Sequence, residues 1–312
     1  METKSTLLGS PSKAAPAVVY DTDEAAVNDQ PNVATFEGSF APSARPPQRL
    51  KPWYKDRDYF LDGWTSKYIW KAAFVEGVAT AGLVYISGQL TGTLISYNTV
   101  QIGAYIGVAS IFLIITFVYA TAAGTGAHMN PMITFSAMLS GICPVPRGIL
   151  YMCCQTAGAA LAGGLLLGVW GRERSIQYHG GGCFYDPSEL SSGQAFLSEV
   201  VSSFILLYLS YGVGLDPRQA LLFGPRLGPL LVGISLGLVA FSNSASVPGY
   251  AGAAMHPARC FGFGVAKQNF DDQWIWWFGP AVAAILFSVM YNLIPPKELP
   301  SPSTKKHNGD GV

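Results

Sequence analysis

The sequence predicts an all-α membrane protein with six transmembrane helices and two re-entrant half-helices, built as an inverted repeat. Three observations carry that expectation. Half of the 312 residues are hydrophobic and only 12% are charged, too apolar a balance for an ordinary soluble chain of this length. Six apolar runs each approach the roughly twenty residues that cross a bilayer. Two short motifs, Asn130-Pro131-Met132 and His256-Pro257-Ala258, sit at matching places in the two halves, each a polar residue, a proline and then an apolar stretch.

Residues 1–69 lack sustained apolar periodicity and are rich in Pro, Ala, Ser and Asp. A disordered tail is expected there. No signal peptide is expected, because no apolar core follows the first residues. Ser10 and Ser43 are candidate phosphosites, although a flexible unmodified leader is the plainer reading. Trp53, Tyr54, Tyr59, Phe60, Trp64 and Tyr68 precede the first span and suit an interfacial belt.

Spans are expected near residues 70–89, 102–122, 148–169, 195–214, 227–244 and 274–294. Residues 130–140 and 256–267 are too short to cross. Half-helices that enter and end in the interior explain them, since irregular backbone at membrane depth is tolerated only inside protein or beside a watery cavity. The membrane domain then covers 70–295, with repeats at about 70–169 and 195–294 and a tail at 296–312. The second repeat is inverted, because each unit has an odd number of crossings.

Lys51, Lys55, Arg57, Lys67 and Lys71 precede the first span, and Arg147 the third. Arg218 and Arg226 lie between the fourth and fifth, and Lys297, Lys305 and Lys306 follow the sixth. With six spans all of these share one face, which places both termini in the cytoplasm. Arg172 and Arg174, after the third span, run against that pattern.

Glu76 and Glu199 lie inside apolar spans, in the echoing stretches Phe74-Val75-Glu76-Gly77 and Leu197-Ser198-Glu199-Val200. A bare carboxylate costs about 3 kcal/mol at mid-bilayer. Both are read as acceptors for backbone N–H groups of the re-entrant loops rather than as proton relays. Asn130 can cap its half-helix through its oxygen and present its amide to a lumen. Arg259, three residues after His256, is a cation at membrane depth beside a re-entrant turn, which suits a pore wall. The five cysteines show no metal-ligand spacing. Cys153 and Cys154 read as membrane-helix filler. Cys183 should face the non-cytoplasmic side, either free or paired with its counterpart in another subunit.

Taken together, Glu76, Gly126-Ala127-His128-Met129-Asn130-Pro131, Tyr151 with Gln155 and Gly158, Glu199, Pro257-Ala258-Arg259 and Trp277 with Gly279-Pro280 resemble the major intrinsic proteins, the aquaporins and aquaglyceroporins. The resemblance covers roughly residues 68–295. It implies the aquaporin fold, a homotetramer in the lipid bilayer of the plasma membrane, and one pore per subunit for small neutral solutes. Gln155 and His128 become structural supports beside the two glutamates. Pro257-Ala258-Arg259-Cys260 and Gly181-Gly182-Cys183 resemble the X-intrinsic subgroup.

The departures shape the expected substrate. Met132 replaces the alanine of the family's first box, and His256 replaces the asparagine of its second. Counting from the boxes, the family's selectivity filter falls on Ser110, Ser244, Ala253 and Arg259. Three small side chains beside one arginine imply a wide mouth, suited to glycerol, urea or hydrogen peroxide as well as water, with cations and protons excluded. His256 is expected to stay neutral, to act as cap and pore donor, and to narrow the middle. A poorly conducting or gated protein with a scaffold role is the alternative. No enzyme, cofactor or metal is expected, because His128, His256 and Cys260 are not paired at catalytic or ligand spacing. Balanced charge, with 19 basic and 19 acidic residues, argues against nucleic acid.

Overall fold

The computed structural model describes residues 53–216, 226–244 and 246–293. Residues 1–52 of the expected N-terminal tail and the whole expected C-terminal tail at 296–312 lie outside the described residues, with Lys51, Ser10, Ser43, Lys297, Lys305 and Lys306. Helices make up most of what is described. The β pairing among these residues is an isolated bridge between Tyr185 and Tyr250.

A 3-10 turn at Trp53–Lys55 and α1 (Arg57–Leu61) form a lead-in capped by Asp56. The sequence assigned residues 53–69 to the tail, but a five-residue helix is too short to show a period. Tyr59 is buried, and its hydroxyl donates to the carbonyls of Met138 and Cys143. It therefore leaves the expected interfacial belt and ties the lead-in to Met138 in the last turn of the first half-helix and to Cys143 just beyond it. Trp53 also turns inward, packing over Gly141, while Tyr54, Phe60 and Trp64 remain exposed.

The long helices are α2 (Lys67–Ser96), α3 (Ile102–Thr125), α5 (Val145–Gln177), α6 (Ser192–Ser210, continued by a π turn at Tyr211–Leu215) and α9 (Gln273–Leu293). Each of these is long and apolar enough to span a bilayer. The fifth expected span is the 16-residue α7 (Gly228–Asn243). It covers only about 24 Å at 1.5 Å per residue. The residues before it, 217–225 with Arg218, lie outside the described residues. The half-helices are α4 (Pro131–Leu139) and α8 (Pro257–Lys267).

We call the face where α2 begins the near face. The chain crosses to the far face along α2 and returns along α3. It then dips inward, leaves along α4 and crosses again along α5, which breaks at Gly171. The second repeat performs the same path in reverse from the far face. Arg147, counted in the sequence among the basic residues of the cytoplasmic face, is buried at the near face. Its guanidinium donates to the Thr125 carbonyl at 2.7 Å and to the Tyr151 hydroxyl at 3.0 Å, sealing the C-terminus of α3.

Small residues let the helices touch along their backbones, since lipid supplies no hydrophobic force between spans. A Cβ on Gly158 of α5 would lie 2.0 Å from the Gly77 carbonyl oxygen of α2. In the same way, α3 and α7 meet at Gly107 and Gly237.

Candidate functional site

The two half-helices begin at the residues the sequence singled out. Proline occupies the first helical position of each, where its missing N–H costs nothing. Asn130 Oδ1 accepts from the Met132 amide at 2.9 Å. His256 Nδ1 accepts from the Arg259 amide at 3.1 Å. Because Nδ1 accepts, the proton of the neutral imidazole sits on Nε2. That atom is buried and closes no hydrogen bond. Asn130 is better engaged, with Nδ2 donating to the Met255 carbonyl at 2.9 Å.

Both loops that lead into the half-helices hang on a buried carboxylate. Glu76 accepts from the backbone amides of His128 and Met129, from the Thr125 hydroxyl and from Gln155 Nε2. Glu199 accepts from the amides of Ala254 and Met255. Thr134 links Gln155 and His128 Nδ1, at 3.0 and 3.2 Å. Glu199 thus holds loop amides, while Glu76 holds loop amides together with Thr125 at the end of α3 and Gln155 of α5.

Two cavities meet at the half-helix tips. The far-side cavity, about 400 Å³, is lined by all four expected filter positions, Ser110, Ser244, Ala253 and Arg259. The near-side cavity, about 80 Å³, is lined mostly by apolar groups and the backbone of residues 126–129. Leu83, Ile114, Asn130, Leu236 and His256 line both, so the two cavities abut at the half-helix tips. The positive ends of two helix dipoles converge there. Four motif residues, Pro131, Met132, Pro257 and Ala258, line neither cavity. Met132 is 2% exposed and packs with Ala253, Met255 and Leu206 in the core. The Ser244 hydroxyl donates to the Ala240 carbonyl at 2.8 Å, leaving its lone pairs to the lumen.

Arg259 is half-buried. Its Nε donates to the Ser87 hydroxyl at 3.0 Å, and its guanidinium lies 4.8 Å from the Phe263 ring centroid. Sequence reasoning missed Ser87. A signal existed: Glu76, Thr80, Ser87 and Thr91 recur at helical spacing along α2, and all four are buried. The structure also joins Cys183 to Cys260 in a disulfide within the chain. Neither alternative read from the sequence, a free thiol or a bond between subunits, matches that pairing. Among the described residues no group of three or more His, Cys, Asp or Glu is placed to hold a metal ion.

The sequence of residues 63–291 matches the family model of the major intrinsic proteins. The chain belongs to the major intrinsic protein family. It is 31% identical to an aquaporin PIP-type from Atriplex canescens over 237 residues, covering 72% of this chain and 80% of that protein. It is 30% identical to aquaporin TIP2-3 of Zea mays, covering 71% and 86% of the two chains. The fold is similar to the X-ray structure of the aquaglyceroporin from Plasmodium falciparum, at TM-score 0.60 and 16% identity over 72% of this chain and 96% of that one. Membership makes the protein an integral membrane channel for water or small solutes, and not an enzyme.

Proposed function

We propose that this chain is a passive channel for small neutral solutes beyond water, with glycerol, urea and hydrogen peroxide as the candidates. The observation that carries this reading is the far-side cavity of about 400 Å³, whose four filter positions carry two serines, one alanine and one arginine. With three small side chains, the mouth admits a solute larger than water, while Arg259 supplies donors for a hydroxyl or carbonyl oxygen. Arg259 and the two converging helix N-termini set a positive potential along the path, which repels cations and protons.

The remaining features of this reading rest on the same chemistry. The near face is cytoplasmic, by the lysine and arginine bias. A disulfide on the far face suits an oxidising compartment and supports that orientation. The plasma membrane, the homotetramer and the X-intrinsic subgroup, with its cysteine after the filter arginine, follow from family resemblance.

Stopped-flow swelling of proteoliposomes with water, glycerol and urea, together with a peroxide assay, tests the proposal. Glycerol or urea flux well above that of empty vesicles is the expected result. An Arg259→Val variant should add a cation or proton leak. The narrow near-side cavity, about 80 Å³, favours the second reading of a gated or poorly conducting protein. Absence of flux for every solute would decide for it.

A further inference from the structure

Three elements converge on Arg259 at the far face. The first is Ser87 of α2, whose hydroxyl accepts from Arg259 Nε at 3.0 Å. The second is the loop at residues 179–183. His179, Gly180, Gly181, Gly182 and Cys183 all hold positive φ, at 51°, 69°, 113°, 136° and 55°. His179 and Cys183 are strained in that conformation, since a side chain crowds its own backbone there. Such a run of backbone persists only where its surroundings enforce it. The third element is the first turn of α8, which carries Cys260.

The disulfide fastens the loop to that turn, one residue from Arg259. The loop in turn presses on the arginine's other neighbours. A Cβ at Gly181 would lie 2.7 Å from the Phe263 ring and 2.8 Å from the Gly88 Cα, the residue after Ser87. At Gly182 it would come within 3.4 Å of an Arg259 terminal nitrogen. The guanidinium is thereby boxed by a hydroxyl, a ring and a covalently anchored loop.

From this arrangement we infer that Ser87 and the Cys183–Cys260 disulfide are positioning elements that fix Arg259 in the filter and set which solutes pass. The inference rests on the channel reading above and extends the filter to residues outside its four expected positions. Losing either element lets the guanidinium swing within the cavity. The opening is then redrawn without removing the charge.

The test uses the full chain in proteoliposomes, with Ser87→Ala, Ser87→Thr and the double variant Cys183→Ala/Cys260→Ala. Channel amount and thermal unfolding are measured alongside. The glycerol-to-water permeability ratio should shift on the order of ten-fold or more in Ser87→Ala, the loss of one hydrogen bond to a charged group, and in the same direction in the double-cysteine variant. Ser87→Thr should restore the ratio. A uniform fall in all fluxes with an unchanged ratio would mean a merely structural role and would overturn the inference.

Two further readouts do not depend on flux. Peptide mass spectrometry without reduction should show Cys183 linked to Cys260, and its failure to do so overturns the disulfide's part. An arginine-directed dicarbonyl reagent should modify Arg259 faster in the variants than in the native chain; an equal rate overturns the inference. If the native channel passes no solute, the channel reading fails and the labelling rate alone decides the positioning role.

Discussion

The Asn130 side-chain amide donates to the Met255 carbonyl across 2.9 Å, joining the tips of the two half-helices. The mirror bond, from His256 Nε2 to the Met129 carbonyl, is not closed. The inverted repeat is therefore symmetric in backbone and asymmetric at its centre. One spare N–H of Asn130 remains for a passing oxygen, while the Nε2–H of His256 is buried without a partner.

His256→Asn should complete the mirror bond, because the shorter amide can reach Met129 as Asn130 reaches Met255. Water flux per channel should rise several-fold as the ring is removed. Stability should change by less than about 1 kcal/mol, since asparagine also caps well. Stopped-flow swelling beside a thermal melt checks both. An unchanged solute profile would show that the imidazole does not narrow the path.

Glu76→Gln should destabilise more than Glu199→Gln. Glu76 accepts from four donor groups and Glu199 from two. A glutamine turns one acceptor arm into a donor facing another donor, at about 1–3 kcal/mol for each donor left unsatisfied. Thermal unfolding in detergent reads the order. A reversed order would mean that the charge itself, rather than the number of bonds, holds the loops.

Met132→Ala should cost stability and leave selectivity alone. Methionine-to-alanine changes in packed cores cost about 2–5 kcal/mol. Met132 lines neither cavity, so the glycerol-to-water ratio should match the native value. A shifted ratio would place the side chain in the path after all.

Acid should loosen the far-face loop through His179. Partial burial and the nearby Lys267 charge hold its imidazole below its ordinary value of 6.5. The ring stacks on Phe184 at 3.8 Å. The unfolded chain takes up this proton first as pH falls. Stability is therefore intact above about pH 6.5 and declines below it. The unfolding midpoint of the native chain should drop on acidification through that range, and His179→Gln should reduce the drop.

The parts of this site legible in the sequence share one property, a polar residue where the surroundings forbid it. Glu76, Glu199, Asn130, His256 and Arg259 stand inside apolar runs or beside prolines, and desolvation cost alone marks them. Ser87 was legible only through its helical phase with Glu76, because a single serine costs little in a membrane helix. The Cys183–Cys260 pair spans 77 residues of sequence. Nothing local announces that their loops meet, which depends on how α5, α8 and the far-face loop pack. Tyr59 was misread for a related reason. An aromatic before a span suits an interface or a buried hydroxyl latch equally well, and only the tertiary contacts with Met138 and Cys143 distinguish them.

The disulfide also orders the making of the protein. Cys183 is synthesised 77 residues ahead of Cys260, so its sulfur must wait until the second half-helix has entered the bilayer. The mouth of the path is thus among the last features to be completed during biogenesis. A nascent chain arrested between the two cysteines would carry a free thiol at Cys183. That thiol is a chemical mark by which unfinished molecules can be told from finished ones.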